Sequence, residues 1–527
     1  MLPMYDRIIH GGTIIDGTGA KGFAADIGIV GDRITAIADL ADEEAGERID
    51  ASGRVVAPGF IDVHNHSDGW LLKRPHFLPK TSQGFTTEIL MLDGISYAPV
   101  RPDTARHWLF YLRGINALRQ EEYRGWESVG QFLQEFDECA AQNVAGHVPY
   151  ANVRSLACGF GKQWIDDLQQ RLIQAEIHRG MQDGAVGLST GLDYIAQCYC
   201  TTDELVEACK VIAEYDGVYT THVRYKKGIL EGIREAVEIG RRAGCRVHIS
   251  HVKGHDEESV HSLLEYFDKQ ARHEVAFSFE CYPYQPGSTM LNYLLPYDVW
   301  SDGPLGALAR MQDPAVRACF RAGLEAYPLD LDRITIAWVP GKENSVYQGW
   351  TLSDYVAKTG LEPEEALYNL LIEEQLSVLA VYNEGADELI EPILQHDLCV
   401  IGSDGIYFDE GLVHPRVYGT APRIIGPLVR DRKLFSLEEA VAKLSGRSAS
   451  CYGLADRGMI RQGAFADLLV FDPKTVTDRA TYEDPHQTSV GIVLVVVNGK
   501  PILRDGQPVN EIADDQPGRF LRYQPSV

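Results

Sequence analysis

Residues 55–66 read VVAPGFIDVHNH, a largely apolar run that ends in two histidines two positions apart. The run predicts a strand over 55–63. Alternate strand residues point to the same side, so the imidazoles of His64 and His66 can reach one ion. Three more strand-like runs end in the same way. His222 follows VYTT at 218–221, His251 follows VHIS at 247–250, and Asp404 follows CVIGS at 399–403. Neutral imidazoles can hold a metal ion, and one carboxylate can take and return a proton. That is the set required by a hydrolase that splits amides or related bonds with metal-activated water. His248, three residues before His251, is expected on the opposite face, deeper, in a structural role. Asp404 is the expected catalytic base and acid, although Ser-Asp-Gly also serves as a turn.

Working outward, the middle of the chain alternates strand-like and helix-like segments. Strands are expected at 55–63, 86–93, 144–152, 185–191, 218–223, 246–251, 275–282 and 398–403, and helices include 203–215 and 228–243. This alternation belongs to the α/β class with a parallel sheet, and eight such strands are the number a (β/α)8 TIM barrel requires. Active sites of such barrels gather at the C-terminal strand ends, where the four histidines and Asp404 fall. The stretch 290–395 is too long for one connection and is expected to be an insertion with its own helices. Both termini read as short strands and turns, for example around Asp16-Gly17, Gly31-Asp32 and Asn498-Gly499. Segments 1–56 and 454–527 are therefore assigned to one small β unit, and 57–453 to the barrel.

With 527 residues, 45% of them hydrophobic, the chain can bury a large core. A net charge of -26 speaks against nucleic acid or anionic membrane as partner. No run of about 18 apolar residues is present to span a membrane. The N-terminus, MLPMYDRIIHGGTIIDG, lacks the basic and apolar regions of a secretory signal. The ten cysteines are scattered, and Cys198 and Cys200 do not have zinc-knuckle spacing. Reduced thiols and a cytoplasmic location are the expectation, with room left for a homo-oligomer. Gly187-Leu188-Ser189-Thr190-Gly191 has the spacing of a nucleophile elbow but lacks the following helix, so it is read as a strand and its mouth.

The stretches APGFIDVHNHSD, GVYTTHVR, VHISHVK, CYPYQPGST, IGSDG and HPRVYGTAPR, with GLADRGMIRQGAFADLLVFDP and DRATYEDPHQTSVGI, carry a resemblance. They resemble the amidohydrolase superfamily and, within it, the N-acyl-D-amino-acid deacylases (D-aminoacylases). The resemblance covers nearly the whole chain. It implies a (β/α)8 barrel with a small β-sandwich domain from the two termini. It also implies zinc, one ion or two, held by His222, His251 and a further ligand, with His64, His66 and Asp404 flanking a second position.

Where these relatives have a cysteine ligand, this chain has Asp93. A carboxylate can bind one ion or bridge two, and favours harder divalent ions than a thiolate does. Asp93 is read as a metal ligand, with a plain turn aspartate as the alternative. Lys253, Tyr284, Ser288 and Arg416 match positions that hold the carboxylate and carbonyl of the relatives' small-molecule substrate, and a structural ion pair is the other use for the charged ones. The segment 289–295 has no arginine and favours an apolar substrate side chain over an acidic one. The implied reaction is deacylation of an N-acyl-D-amino acid. The alternative is an amidohydrolase acting on a cyclic amide, a carbamoyl compound or an ester, with Asp93 marking the difference.

Overall fold

The computed structural model describes residues 4–116, 118–326, 329–383, 385–509 and 516–524. In the middle of the chain nine short segments form parallel strands. They are β1 (Phe60–Asp62), β2 (Phe85–Leu90), β3 (Asn143–Gly146), β4 (Val148–Pro149), β5 (Gly187–Gly191), β6 (Val218–His222), β7 (Arg246–Ile249), β8 (Phe277–Cys281) and β9 (Cys399–Ile401). Only His147 separates β3 from β4, so these are two halves of one strand, the first paired with β2 and the second with β5. Each strand is parallel to the next from β1 to β3 and from β4 to β9. Just past β9 the chain meets its first strand again. Asn65 and Gly405 form a parallel bridge, and Asp404 N donates to His64 O at 2.7 Å.

Every residue of β2, β5 and β6 is buried, as expected of parallel strands covered on both faces. The expected helices cover them. Thr202–Ala213 lies between β5 and β6, and buries Leu205, Val206, Cys209 and Ile212 along one stripe. Its first turn is capped by Thr201, whose hydroxyl accepts from Glu204 N. Ile229–Ala243 lies between β6 and β7 and stops at Gly244, whose φ of 75° is left-handed.

Two expectations need correction. The single strand over 55–63 is two strands, broken at Gly59. Val55–Pro58 pairs parallel with Thr13–Ile14 and antiparallel with Leu468–Phe471, and only Phe60–Asp62 joins the parallel set. A Cβ at Gly59 would sit 2.2 Å from Thr86 Oγ1, so glycine is needed where the chain crosses between sheets.

The terminal strands form two sheets. A seven-stranded sheet takes Val55–Pro58, Thr13–Ile14 and Phe23–Ala24 from one end of the chain. From the other it takes Leu468–Phe471, Ile492–Val497, Lys500–Arg504 and Gln507–Pro508. A four-stranded sheet, Arg33–Ala38, Asp26–Val30, Tyr5–His10 and Ala45–Asp50, comes from the N-terminal segment alone. Ile27, Ile29 and Ile34 of this sheet share one apolar cluster with Val56, Leu468, Val470 and Leu494 of the larger one. Residues 1–3, 510–515 and 525–527 of these segments lie outside the described residues.

The insertion has its expected helices, among them Pro304–Arg310, Leu352–Thr359 and Pro363–Glu373. It also contributes an antiparallel sheet of Gly287–Met290, Leu379–Tyr382 and Ile334–Trp338 that was not expected. That sheet carries Ser288. All ten cysteines are free thiols, and among the described residues no helix is long and apolar enough to cross a membrane.

Candidate active site

All of the residues read as metal-binding come together at the C-terminal ends of the parallel strands. His64 and His66 follow β1, Asp93 follows β2, His222 ends β6, His251 follows β7 and Asp404 follows β9. His66 Nε2 lies 3.2 Å from Asp404 Oδ1, and His64 Nε2 lies 3.7 Å from the same oxygen. Asp93 stands between the two histidine pairs. Its Oδ1 is 3.6 Å from His64 Nε2 and 3.7 Å from His251 Nε2, and its Oδ2 is 3.6 Å from His66 Nε2. His222 Nδ1 completes the group 3.2 Å from His251 Nε2. Ligand-type atoms of His64, His66 and Asp404 lie within 4.8 Å of one another, as do those of His64, Asp93 and His251.

This arrangement is held against local preference. Asp93, His251 and Asp404 have φ values of 55°, 35° and 48°, in the left-handed region that L residues seldom occupy. The Asp93 turn is tied down by Ser189 of β5, whose hydroxyl donates to Met91 O at 2.6 Å and accepts from Gly94 N at 3.2 Å. Ser189 is thus spent on the backbone, in keeping with its reading as part of a strand.

The centre is rich in buried carboxylates. Burial opposes charge on His64, yet Asp93 and Glu280 lift its pKa to about 9. At His222 burial prevails and the pKa falls to about 4. Burial also opposes ionisation of Asp404, but Arg416 and His66 outweigh it and hold the carboxyl well below the usual carboxylate range. His64 Nε2, His222 Nε2 and Asp93 Oδ1 are buried without a hydrogen-bond partner. Orphaned imidazole nitrogens facing carboxylate oxygens are the donor set of a divalent cation site.

A cavity of about 610 Å³ opens over the centre, lined by His66, Asp93, His222, His251 and Asp404 on its floor. Its walls include Ile115, Tyr194, Ile229, Leu230, Leu294, Tyr382 and Ile406. Of the residues read as substrate-binding, Lys253 and Ser288 line it, and Ser288 Oγ is buried without a partner. Lys253 Nζ donates to Gln285 O and Pro286 O at 2.8 and 2.9 Å. Arg416 stands behind Asp404, with Nη1 2.8 Å from Asp404 Oδ2 and Nη2 donating to Ser288 O at 3.1 Å. Tyr284 lies away from the cavity, its hydroxyl 3.4 Å from Asp478 Oδ2 and its ring under Arg423.

Sequence reasoning missed two residues. Tyr282 lines the cavity, with Lys253 Nζ 4.3 Å and the Arg416 guanidinium 4.4 Å from its ring centre. Glu280 binds His64 from behind, Nδ1 to Oε1, at 2.7 Å. The available signal was a single charged residue inside the buried strand β8. His248, expected on the opposite face, shares that carboxylate, with Nε2 2.5 Å from Glu280 Oε2. The strict alternation fails because the backbone turns left-handed at His251.

A model of the amidohydrolase family matches residues 47–287 and 389–503, leaving out most of the insertion. The chain belongs to the amidohydrolase family. Among curated relatives of this amidohydrolase, the D-aminoacylase of Alcaligenes xylosoxydans xylosoxydans is 35% identical over 95% of both chains. The N-acyl-D-aspartate deacylase of the same organism is 34% identical over 98% of this chain and 95% of its own. Among solved structures, the N-acyl-D-glutamate deacylase of Bordetella bronchiseptica superposes with a TM-score of 0.83 at 31% identity. The match covers 98% of this amidohydrolase and 99% of that chain. That structure was solved with zinc and a phosphonate that mimics the tetrahedral intermediate of its reaction.

Proposed function

We propose that this amidohydrolase cleaves the amide C–N bond of N-acyl-D-amino acids, and that it prefers apolar to acidic side chains. One observation carries the reading. Four histidines and two aspartates from five strand ends converge under a cavity, in a chain about a third identical, end to end, to deacylases of this kind.

The residues present fit a divalent cation, in the first instance zinc, one ion or two. His222, His251 and Asp93 would hold one, and His64, His66 and Asp404 the other. When bound, such a cation lowers the pKa of water and polarises a carbonyl oxygen. Asp404 takes the proton of the attacking water at Oδ1 and returns it to the leaving nitrogen. Arg416 keeps Asp404 ionised and turned toward the centre. Lys253, Ser288 and Tyr282 receive the substrate carboxylate, and Tyr284 supports this wall from behind.

The side-chain preference rests on the walls of the cavity. A second carboxylate entering between Ile115, Ile229, Leu230 and Leu294 would need a cation of its own. Lys226, the remaining lysine of the lining, already donates to Tyr293 O at 3.0 Å. It also lies over the rings of Tyr293 and Tyr297 at 4.4 and 4.5 Å.

The same reading makes the parallel strands a (β/α)8 barrel that closes through the Asn65–Gly405 bridge. The flanking sheets are a β-sandwich domain from residues 1–58 and 454–527, the boundary moved to Gly59 by the pairing of Val55–Pro58. The free thiols support a cytoplasmic enzyme.

The test is turnover of N-acetyl-D-leucine, N-acetyl-D-glutamate, N-acetyl-L-leucine and a cyclic amide. We expect kcat/KM for the first to exceed the others by about 100-fold or more. Turnover of the cyclic amide with none of the N-acyl-D-amino acids would overturn the substrate assignment.

A further inference from the structure

We infer that Glu280 is a positioning residue that sets both sides of the metal centre at once, through the ring of His64 and the backbone of His251. Its carboxylate is buried at the end of β8, 1% exposed, and touches neither the cavity nor the ligand atoms of the centre. Oε1 faces His64 Nδ1 at 2.7 Å and accepts from His251 N at 2.8 Å. Oε2 faces His248 Nε2 at 2.5 Å, and His248 Nδ1 in turn meets Ser278 Oγ at 2.8 Å.

The consequence for His64 is a tautomer. In its neutral form, a ring that donates its Nδ1 hydrogen to Glu280 presents Nε2 as a lone pair, and that nitrogen faces Asp93 and Asp404 without a hydrogen-bond partner. The consequence for His251 is a backbone state. Its φ of 35° is one that L residues seldom adopt, and the bond from its N–H to Glu280 holds it there. Tyr225 Oη, 2.9 Å from His251 Nδ1, fixes the ring so that Nε2 turns to Asp93.

The packing makes room for this. A Cβ on Gly402 of the chain leaving β9 would lie 2.7 Å from His64 Cβ and 2.8 Å from Glu280 Cγ. Glycine lets the chain press the two side chains together. One carboxylate therefore couples, from behind, ligands that follow two different strands.

The inference rests on the metal centre proposed above, and the experiment separates the two. Zinc dissociation constants would be measured on apoprotein by competition with a chromogenic chelator, for wild type, Glu280→Gln and Glu280→Asp. Glutamine keeps the shape and removes the charge, whereas aspartate keeps the charge and withdraws it from His64 and His251. We expect both variants to bind zinc about 10- to 100-fold more weakly, with the thermal midpoint of Glu280→Gln apoprotein close to that of wild type. A cobalt-loaded Glu280→Gln protein should show shifted visible bands. Wild-type zinc affinity in either variant overturns the role of Glu280. A wild-type protein that binds no zinc, cobalt or manganese overturns the metal centre itself, and this inference with it.

Discussion

Arg416 Nη1 lies 2.8 Å from Asp404 Oδ2, and the guanidinium is fully buried behind the carboxylate. The pair explains how a largely buried aspartate with a left-handed backbone stays ionised and aimed at the centre. Removing the cation leaves an uncompensated buried charge. Arg416→Met is expected to lose about 3–5 kcal/mol of stability in urea titrations. Arg416→Lys keeps the charge but not the two-point grip on Asp404 and Ser288. It is expected to remain folded, with kcat reduced about 10-fold.

Asp404 is the proton carrier of the proposed reaction. Asp404→Asn is expected to retain metal, measured by elemental analysis, and to lose kcat by about 10²–10⁴-fold. Near wild-type turnover in this variant would refute the assignment.

Ser189 lies in a Gly-x-Ser-x-Gly run yet spends its hydroxyl on Met91 O and Gly94 N. Ser189→Ala should therefore cost stability rather than chemistry, about 1–2 kcal/mol for the lost bonds. Turnover should fall no more than about 10-fold, through loosening of the Asp93 turn. A drop of several thousandfold in kcat at unchanged stability would make Ser189 a nucleophile after all.

Glu88 of β2 offers a prediction in pH. Burial raises its pKa to about 7, although the charge of Lys80 and the hydrogen bonds from Ser67 and Gln142 favour the ionised form. Asn65 Nδ2 donates to Ile89 O, so Asn65 Oδ1 accepts from the Ser67 hydroxyl at 2.6 Å. The Ser67 hydroxyl also contacts Glu88 Oε2, and Gln142 Nε2 donates to Glu88 Oε1 at 2.5 Å.

A folded-state pKa above the ordinary value of 4.5 means that the folded chain holds a proton the unfolded chain releases. The stability this contributes is fully present below about pH 4.5 and is lost as pH rises through about 7. Glu88→Gln mimics the protonated acid. It should match wild type at pH 5 and exceed it at pH 8, by up to about 3 kcal/mol. Parallel denaturant titrations at the two pH values check this. An unchanged difference between them would show that Glu88 is ionised throughout.

Much of the centre was legible because its residues sit where a periodicity stops. His64, His66, His222, His251 and Asp404 each follow a short apolar run, and a run of that kind is a local property. Asp93 also follows an apolar run, Ile89-Leu90-Met91-Leu92, but Leu92-Asp93-Gly94 reads equally well as a turn, and only the resemblance to relatives with a cysteine there marks it as a ligand. Tyr284 matches the relatives' position by resemblance, yet Tyr282, two residues earlier in the same phrase, is the one that lines the cavity. Which of them faces the cavity depends on how the chain leaves β8 at Cys281, and nothing within the phrase encodes that. The apolar lining read from 289–295 holds for Leu294 and Tyr293, whereas Met290 and Leu291 face the core.

By itself the sequence determined the order of strands and helices, the residues at the strand ends and the class of chemistry they permit. These follow from hydrophobic spacing and from the donor atoms each side chain carries, which are local. Tertiary structure alone decided the break at Gly59, the sheet that presents Ser288, the pairing of Arg416 with Asp404 and the place of Glu280 between His64 and His251. Each depends on which distant strands come to lie side by side, and a contact of that kind is settled only when the whole sheet has packed.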